Sequence, residues 1–273
     1  MRKEAEIMVH VAVAQFAPGE DKRENLAKVT ELVDEAVARG ARVVVLPEYA
    51  MFTVPAMDER FVESAEPLDG PWVSGLRELA KERRVTLVAG VNEELPGTGR
   101  ISNTLVAAGE DGSIAALYRK LHLYDAFGFR ESDFVRSGTI EAPETFKVDD
   151  LTFGLQTCYD LRFPEVTRRL VDAGADVVLL PAEWVPGPLK EDHWTTLIRA
   201  RAIENTIYVA AAGQCAPTGS GNSLIADPMG VVLAAVGERT ATAGAELTRA
   251  RLDEVRAKNP ALGLRRFTVA ERE

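Results

Sequence analysis

Cys158 is a residue whose type and position could carry chemistry, because it stands where a β-rich stretch gives way to a turn and a helix. Ligands in open α/β sheets gather outside the carboxyl ends of the strands. A helix that follows at once supplies partial positive charge, which favours thiolate over thiol. Cys158 is therefore a candidate nucleophile, although a single cysteine is more often a small buried hydrophobic residue. Cys215 also follows a strand but precedes no helix, and we expect it to be structural.

A nucleophilic cysteine needs a base, and either a histidine or a carboxylate can provide one. The chain has three histidines, of which His122 could in principle meet Cys158. Glu48 directly follows Pro47 at the end of the short apolar strand Val43–Leu46. A carboxylate at that place is costly to desolvate unless it is used or paired. Glu48 is therefore either a catalytic group or one half of an ion pair with a nearby arginine.

Lys120 lies just past another apolar strand, in the segment Leu117–Asp125. It follows Arg119 directly, and two adjacent basic residues at a strand end are typical of a solvated surface. From these residues alone, a solvated pair is the simpler interpretation of Lys120.

Two stretches of the chain predict the same strand–helix–strand unit, whose strands should be parallel. The predicted elements are a strand at Val9–Gln15, a helix from Leu26 to Gly40 and a strand at Val43–Leu46, then a strand at Phe153–Thr157, a helix at Pro164–Asp172 and a strand at Val177–Leu180, ended by Pro181. Gly40–Pro47 aligns residue for residue with Gly174–Pro181, which indicates internal pseudo-twofold symmetry. In this alignment, Ala182 of the second unit is equivalent to Glu48 of the first. Glu183 lies one residue further on, so its side chain should point to the opposite face of the strand from the Glu48 position. Only one of the two units therefore places an acid at that position.

The rest of the chain predicts antiparallel pairs and further helices. The pairs are Thr104–Ala108 with Ile114–Tyr118, Phe146–Val148 with Leu151–Phe153, and Ser223–Ala226 with Val231–Val236; the helices are Pro71–Glu82, Leu189–Ile203 and Leu252–Lys258. Strands mixed with helices in this way are typical of a layered α/β protein whose sheets are buried between helices. No low-complexity linker divides the chain, so we predict a single domain over residues 1–273.

Composition and charge exclude several classes of partner. The chain has 273 residues, of which 46% are hydrophobic and 27% charged, and its net charge is −10. Such a surface should repel nucleic acid and anionic lipid. The opening residues 1–6 are charged and no apolar run approaches the roughly 18 residues of a membrane span. Two distant cysteines form neither a disulfide framework nor a metal cage, and we expect a cytoplasmic protein with no metal or cofactor.

Three segments together resemble the carbon–nitrogen hydrolase (nitrilase) superfamily, whose signature is a Glu-Lys-Cys triad in separate blocks. The blocks here are Leu46–Glu48, Tyr118–Leu123 and Thr157–Glu165, in the family's order, and Arg199–Asn205 and Gly221–Ser223 also match family segments. The resemblance runs from about Val9 to Phe267. It implies a four-layer αββα sandwich with two mixed sheets between helix layers. It also implies a homodimer or a higher homo-oligomer, and we expect a dimer to form through the helix Leu189–Ile203 and the helix after Pro164.

The resemblance assigns roles to individual residues. Cys158 would be the nucleophile, Glu48 the general base and Lys120 the cation that stabilises the oxyanion. Glu131 matches a second acid that would position the substrate, the alternative being a surface acid paired with its neighbour Arg130. Tyr159 would add its backbone N–H to the oxyanion hole.

The blocks resemble most the amidase branch that acts on small ω-amides, including α-keto acid amides and deaminated glutathione. N-carbamoyl-amine hydrolysis, nitrile hydrolysis and acyl transfer from the thioester to an amine are alternative reactions. A non-catalytic interaction protein on the same fold is an alternative of a different class. The possible pocket residues are Tyr124, Phe127, Arg130, Arg162, Glu183 and Trp184. For an amide that also carries a carboxylate, the pocket needs a cation, and Arg130, Arg162 and Lys190 remain open as candidates.

Overall fold

The computed structural model describes residues 7–272 of the chain. The charged residues 1–6 and residue 273 lie outside the described part. The strands are β1 (Met8–Gln15), β2 (Val43–Val45), β3 (Thr86–Leu95), β4 (Arg100–Ala108), β5 (Ile114–Arg119), β6 (Thr145–Val148), β7 (Leu151–Leu155), β8 (Val177–Ala182), β9 (Tyr208–Gly213), β10 (Leu224–Ala226), β11 (Val232–Ala235) and β12 (Ala241–Thr248). The α-helices are α1 (Lys22–Ala38), α2 (Arg60–Glu63), α3 (Pro71–Arg83), α4 (Pro164–Asp172), α5 (Lys190–Asn205) and α6 (Arg249–Lys258).

The strands form two six-stranded mixed sheets that repeat one another. The first sheet has the order β12-β1-β2-β3-β4-β5 and the second β11-β10-β9-β8-β7-β6. Strands β1, β2 and β3 are parallel, as are β7, β8 and β9, and the outer strands of both sheets pair antiparallel. Because β1-α1-β2-α3-β3 corresponds to β7-α4-β8-α5-β9, the predicted pseudo-twofold symmetry is confirmed.

The sheets face one another, and helices cover their outer faces. Val11 and Val45 of the first sheet and Leu155 and Leu179 of the second belong to one apolar core. Helices α1 and α3 pack on the outer face of the first sheet, and α4 and α5 on that of the second. The central strands β2, β8 and β9 are buried on both faces, which explains their continuous apolar sequences. The four layers are therefore α, β, β and α, as predicted.

Local sequence signals explain where the covering helices start and stop. The side chain of Asp21 accepts hydrogen bonds from the N–H groups of Arg23 and Glu24, which caps the start of α1. Gly40 adopts a φ of 92° just after the end of α1, a conformation that glycine adopts without strain. Pro164 occupies the first turn of α4, where its missing N–H costs nothing.

The predicted end of β8 is wrong, because the strand continues through Pro181 to Ala182. The backbone N–H and carbonyl of Leu179 point toward β7, since this carbonyl accepts a hydrogen bond from the N–H of Gln156. The backbone of Pro181, two residues later, also points toward the β7 side, but β7 pairs with β8 only as far as Leu179. The missing N–H of Pro181 therefore leaves no hydrogen bond of the sheet unmade.

Two strands, β3 and β12, were absent from the sequence prediction, and β9 was predicted only as a strand before Cys215, without bounds. The second half of β3 reads Val-Asn-Glu-Glu-Leu, so polar residues interrupt its apolar pattern although Asn92 and Glu93 are buried. Strand β12 is half exposed and rich in alanine, and it completes the edge of the first sheet beside β1. No helix among residues 7–272 is long and apolar enough to cross a membrane.

Gly90 on β3 allows the chain after β2 to pass close by. A Cβ atom at Gly90 would lie 2.5 Å from the backbone nitrogen of Tyr49 and 2.6 Å from Cα of Glu48. Both contacts are to backbone, which cannot swing aside as a flexible side chain can. The end of β2, and with it Glu48, is therefore positioned by the absence of a side chain at Gly90.

We expect Gly90→Ala to lower the free energy of unfolding by about 1–3 kcal/mol, because the added methyl overpacks this crossing. Gly19→Ala is the matched control, since a Cβ there meets nothing within 4 Å. Chemical denaturation of both variants checks this. Equal stability of the two variants would contradict the steric role of Gly90.

Candidate active site

Four chain segments, two from each sheet, bring polar groups to one place. Glu48 follows β2 and Lys120 follows β5 in the first sheet, while Cys158 follows β7 and Glu183 follows β8 in the second. All four residues line one cavity. The three residues of the predicted triad therefore converge, and they do so where the two sheets meet.

Glu48 is buried and held by three N–H donors. Its Oε1 accepts hydrogen bonds from Asn103 Nδ2 at 2.7 Å and from Lys120 Nζ at 2.9 Å, and its Oε2 accepts one from the backbone N–H of Glu183 at 2.6 Å. The last bond joins the first sheet to the second. The carboxylate is thus fixed in orientation beside Cys158.

Lys120 lies between two carboxylates and is 2% exposed. Its Nζ is 2.9 Å from Oε1 of Glu48 and 2.9 Å from Oε2 of Glu131. Burial alone would lower the pKa of Lys120, but the charges of Glu131 and Glu48 hold this pKa well above its ordinary value. Lys120 is therefore a charged ammonium and not a solvated surface residue. Arg119 points the other way and pairs with Glu93 at 2.6 Å.

Glu131 belongs to the same cluster and does not pair with Arg130. It accepts hydrogen bonds from Lys120, from the hydroxyl of Tyr49 at 2.7 Å and from the backbone N–H of Tyr124 at 2.6 Å. Burial alone would raise the pKa of Glu131, yet Lys120 and these donors hold it below its usual range. Glu131 is therefore ionised and fixed.

Cys158 begins a short 3-10 helix (Cys158–Arg162) with a φ of 41°. A non-glycine residue in this left-handed region is strained and needs support from its surroundings. Its Sγ lies 3.6 Å from the carbonyl oxygen of Glu183. Burial and the charge of Glu48 raise the pKa of the thiol well above its ordinary value, against the opposing effect of Lys120. Burial and the charge of Glu48 therefore oppose the thiolate form that a following helix was expected to favour.

Glu183 does not face away from Glu48, as strand alternation predicted. Strand β8 ends at Ala182, so the alternation of side chains no longer applies one residue later. Burial and the negative charge of Glu48 raise the pKa of Glu183 well above its ordinary value, which favours a protonated carboxyl group. The two symmetry-related strand ends therefore both supply an acid to this cavity.

The other predicted pocket residues occupy different parts of the cavity. Tyr159 and Tyr124 line it with their rings 5.1 Å apart, and Trp184 lines it as a buried side chain. Arg130 is at the rim, where it is mostly exposed and 3.6 Å from Asp133. Phe127 and Arg162 lie beside the cavity, and Arg162 stacks over the ring of Trp184 at 5.0 Å.

His122, considered above as a base, does not serve Cys158 in this structure. Its Nδ1 is 2.8 Å from Oδ1 of Asp160, and its ring stacks on Phe163 at 3.7 Å. Asp160 also accepts hydrogen bonds from the hydroxyl of Tyr118 at 2.6 Å and from the backbone N–H of His122 at 3.1 Å. This fully buried carboxylate ties the segment that carries Lys120 to the turn that carries Cys158.

Two residues at the centre of the cluster were missed from the sequence, Asn103 and Tyr49. Asn103 donates to both Glu48 and Glu131, and Tyr49 donates to Glu131. The signal for Asn103 was available, because three consecutive polar residues, Ser102, Asn103 and Thr104, interrupt an apolar strand. Tyr49 gave no such signal beyond its position directly after Glu48.

The cavity has a volume of about 470 Å³, which suits a small organic molecule. Val54, Met57 and Phe61 supply part of its apolar wall, while Glu48 and Lys120 are among its polar groups. Within the described residues, no group of three or more His, Cys, Asp and Glu side chains is arranged to hold a metal ion. The positive charge that balances the carboxylates here is the ammonium of Lys120.

Known proteins resemble this chain in sequence and in fold. The family model for carbon–nitrogen hydrolase matches residues 10–257. The chain is 42% identical over 258 residues to a deaminated glutathione amidase of Escherichia coli O157:H7, covering 94% of this chain and 97% of that protein. A Saccharomyces cerevisiae member of branch 10 of the nitrilase superfamily has the same fold, with a TM-score of 0.82 and 28% identity over 95% of this chain and 97% of the other.

A further solved structure is similar in fold and carries a covalent modification at its active site. It is a mutant of the amidase from Nesterenkonia sp. AN1 with covalent addition of the acetamide moiety of fluoroacetamide at the active site cysteine. Its TM-score to this chain is 0.76, at 26% identity over 94% of this chain and 97% of that one. On the match of the family model and the identity to curated relatives, the chain belongs to the carbon–nitrogen hydrolase family.

Proposed function

We propose that this protein is a cysteine-dependent amidase that hydrolyses a small aliphatic ω-amide to a carboxylate and ammonia through a thioester on Cys158. The observation that carries the proposal is that the Cys158 thiol, the Glu48 carboxylate and the Lys120 ammonium line one cavity. The preference for ω-amides draws on the similarity to deaminated glutathione amidase. No cofactor is needed for this chemistry.

In the first half of the reaction, Glu48 removes the thiol proton as Sγ of Cys158 attacks the amide carbon. The raised pKa of the thiol means that this proton is still present when the substrate binds. Lys120 and the backbone N–H of Tyr159 stabilise the tetrahedral oxyanion. Collapse of this intermediate breaks the C–N bond, and the nitrogen leaves as ammonia with the proton from Glu48.

In the second half, water attacks the thioester while Glu48 accepts a proton from it. The C–S bond breaks, the carboxylic acid leaves, and the proton on Glu48 returns to the sulfur. Glu131 also lines the cavity and holds Lys120 in place, and we assign it to positioning the substrate amide and not to proton transfer. The covalent adduct on the cysteine of the Nesterenkonia amidase supports the nucleophilic role of Cys158.

We predict that Cys158→Ala abolishes ammonia release and leaves the melting temperature within a few degrees of wild type, because a thiol contributes little packing. Cys215→Ala is the matched control, since Cys215 is an equally buried free thiol. Both variants are assayed with a panel of small amides, N-carbamoyl amines and nitriles. Turnover by Cys158→Ala would refute the proposal, and release of ammonia from nitriles alone would reassign the substrate.

Glu48→Gln and Glu131→Gln separate the roles of the two acids. In both Glu48 and Glu131, each carboxylate oxygen accepts a hydrogen bond from an N–H group. Either substitution to glutamine therefore places an amide NH₂ group against an N–H donor, so the two variants disturb their surroundings in the same way. We expect Glu48→Gln to form little thioester even with an activated ester, because the base is gone. We expect Glu131→Gln to lose amide turnover yet still acylate Cys158.

Mass spectrometry of the intact protein after brief exposure to the activated ester measures the adduct in each variant. Rapid acylation in Glu48→Gln together with none in Glu131→Gln would mean that the two roles are exchanged.

We also propose that the protein is a homodimer that uses the outer faces of α4 and α5. Trp194 and Ile198 of α5 pack inward against the second sheet and are not available to a partner. Ile203 near the end of α5 is 44% exposed, and Met229 and Val231 are exposed in the connection between β10 and β11, which Arg199 of α5 contacts through the carbonyl of Gly230. These residues supply an apolar surface that supports pairing.

Light scattering at micromolar concentration should give twice the mass of one chain, and Ile203→Glu should shift the protein toward monomer. Ile140→Glu is the control, because Ile140 is 46% exposed and lies outside α4 and α5. A monomeric wild type would overturn the dimer.

A cytoplasmic location is proposed on the state of the cysteines. Cys158 and Cys215 are both free thiols, and the reaction above requires the first to remain reduced. Reducing compartments keep thiols in this state.

A further inference from the structure

One end of the cavity carries a buried cation with no acidic partner. Lys190 is 5% exposed, and its Nζ donates to the hydroxyl of Tyr124 at 2.8 Å. Its other neighbours are the rings of Tyr124, Phe127 and Trp184, at 4.7, 4.8 and 5.2 Å from the ring centroids. None of the ion pairs found among residues 7–272 includes Lys190. Lys120, the other buried lysine of the cavity, has two carboxylate partners.

The hydrogen-bonding capacity of Lys190 is therefore incompletely used. An ammonium group has three N–H donors, and the hydroxyl of Tyr124 accepts one of them. Aromatic faces offset part of the cost of desolvating a cation but supply no hydrogen-bond acceptor of comparable strength. A buried charge in this condition is costly unless a ligand completes its surroundings.

Arg162 adds a second positive charge at the same end. Its guanidinium lies over the ring of Trp184, the ring that Lys190 also contacts. Its Nε is buried and has no hydrogen-bond partner among the described residues. Burial, together with the charge of Arg162, lowers the pKa of Lys190. An anion bound between the two cations would relieve both effects.

Tyr124 fixes how far this cation end lies from the reacting groups. Its backbone N–H donates to Glu131 at 2.6 Å, and its hydroxyl accepts from Lys190 at 2.8 Å. Glu131 in turn binds Lys120. The ammonium of Lys190 is therefore about one tyrosine side chain away from the carboxylate cluster, so a short carbon chain spans the two ends.

We propose that Lys190, with Arg162 beside it, binds the carboxylate of the substrate, so that the enzyme selects ω-amides of short carboxylic acids over uncharged amides of the same shape. This inference rests on the proposed amidase function. It selects Lys190 from the three candidate cations and excludes Arg130, which is exposed and pairs with Asp133.

A matched pair of substrates tests the proposal. Succinamate and 4-methylpentanamide have the same length and branching, but only the first is charged. Wild type should prefer succinamate, and Lys190→Met should lower the ratio of the two kcat/KM values roughly 10- to 100-fold, as expected for losing a charged hydrogen bond. Lys147→Met, at an exposed lysine outside the cavity, should keep the wild-type ratio. Lys190→Arg should restore part of it, because the positive charge returns.

Calorimetric titration with succinate, the product of succinamate hydrolysis, measures carboxylate binding at the same site without turnover. Wild type and Lys147→Met should bind succinate, and Lys190→Met should bind it at least tenfold more weakly. Should Lys190→Met not fold, Tyr124→Phe replaces it and should weaken binding by a smaller factor, since it removes the hydroxyl that holds the ammonium.

The outcomes separate the two proposals. Hydrolysis of both amides with an unchanged ratio and unchanged succinate binding in Lys190→Met would overturn the role of Lys190 and leave the amidase function standing. Binding of succinate that depends on Lys190, without hydrolysis of any amide, would support the anion subsite and refute the amidase. Equal binding of succinate by wild type and Lys190→Met would overturn the subsite whatever the turnover.

Discussion

The ammonium of Lys120, buried between the carboxylates of Glu48 and Glu131, is the interaction on which the rest of the site depends. Two ionised carboxylates cannot share a dry site without a compensating charge, and burial without these carboxylates would lower the pKa of Lys120. Each charge here is tolerated only because the others are present. Asn103 and Tyr49 complete the cluster by donating to the same oxygens.

These charges can balance one another only if segments that are far apart in sequence lie close together. The two facing sheets bring these segments together. Glu48 and Lys120 come from the first sheet, while the backbone N–H of Glu183 reaches Glu48 from the second. Asp160 makes a second link by holding the segment after β5 to the turn after β7. The apolar core between the two sheets fixes their relative position, so the geometry of the site depends on packing far from it.

The sequence predicted the parts of this arrangement that repeat or alternate. The apolar runs around Val43 and Val177 and the glycines that close the helices indicated two equivalent units, and the structure has them. Strand β3 was not predicted, because the polar residues of its second half resemble a loop in the sequence. Glu93, one of them, accepts a hydrogen bond from Thr104 of β4 and pairs with Arg119 of β5. The orientation of Glu183 was mispredicted because alternation holds only inside a strand. Asn103 was not assigned a role, and Lys190 could not be ranked against Arg130 and Arg162 as a candidate cation, since the neighbours of both residues are brought together only in the folded chain.

The charge distribution of the cavity explains why its two ends suit different parts of one molecule. At the inner end, two carboxylates outweigh one ammonium, and the pKa values of Cys158 and Glu183 are both raised. An anionic group is repelled there, and the thiol keeps its proton until Glu48 takes it. At the other end, Lys190 and Arg162 attract an anion. A substrate with a neutral amide and a distant carboxylate is therefore oriented by the field before any contact with Cys158, which leaves the amide as the group that reaches the sulfur.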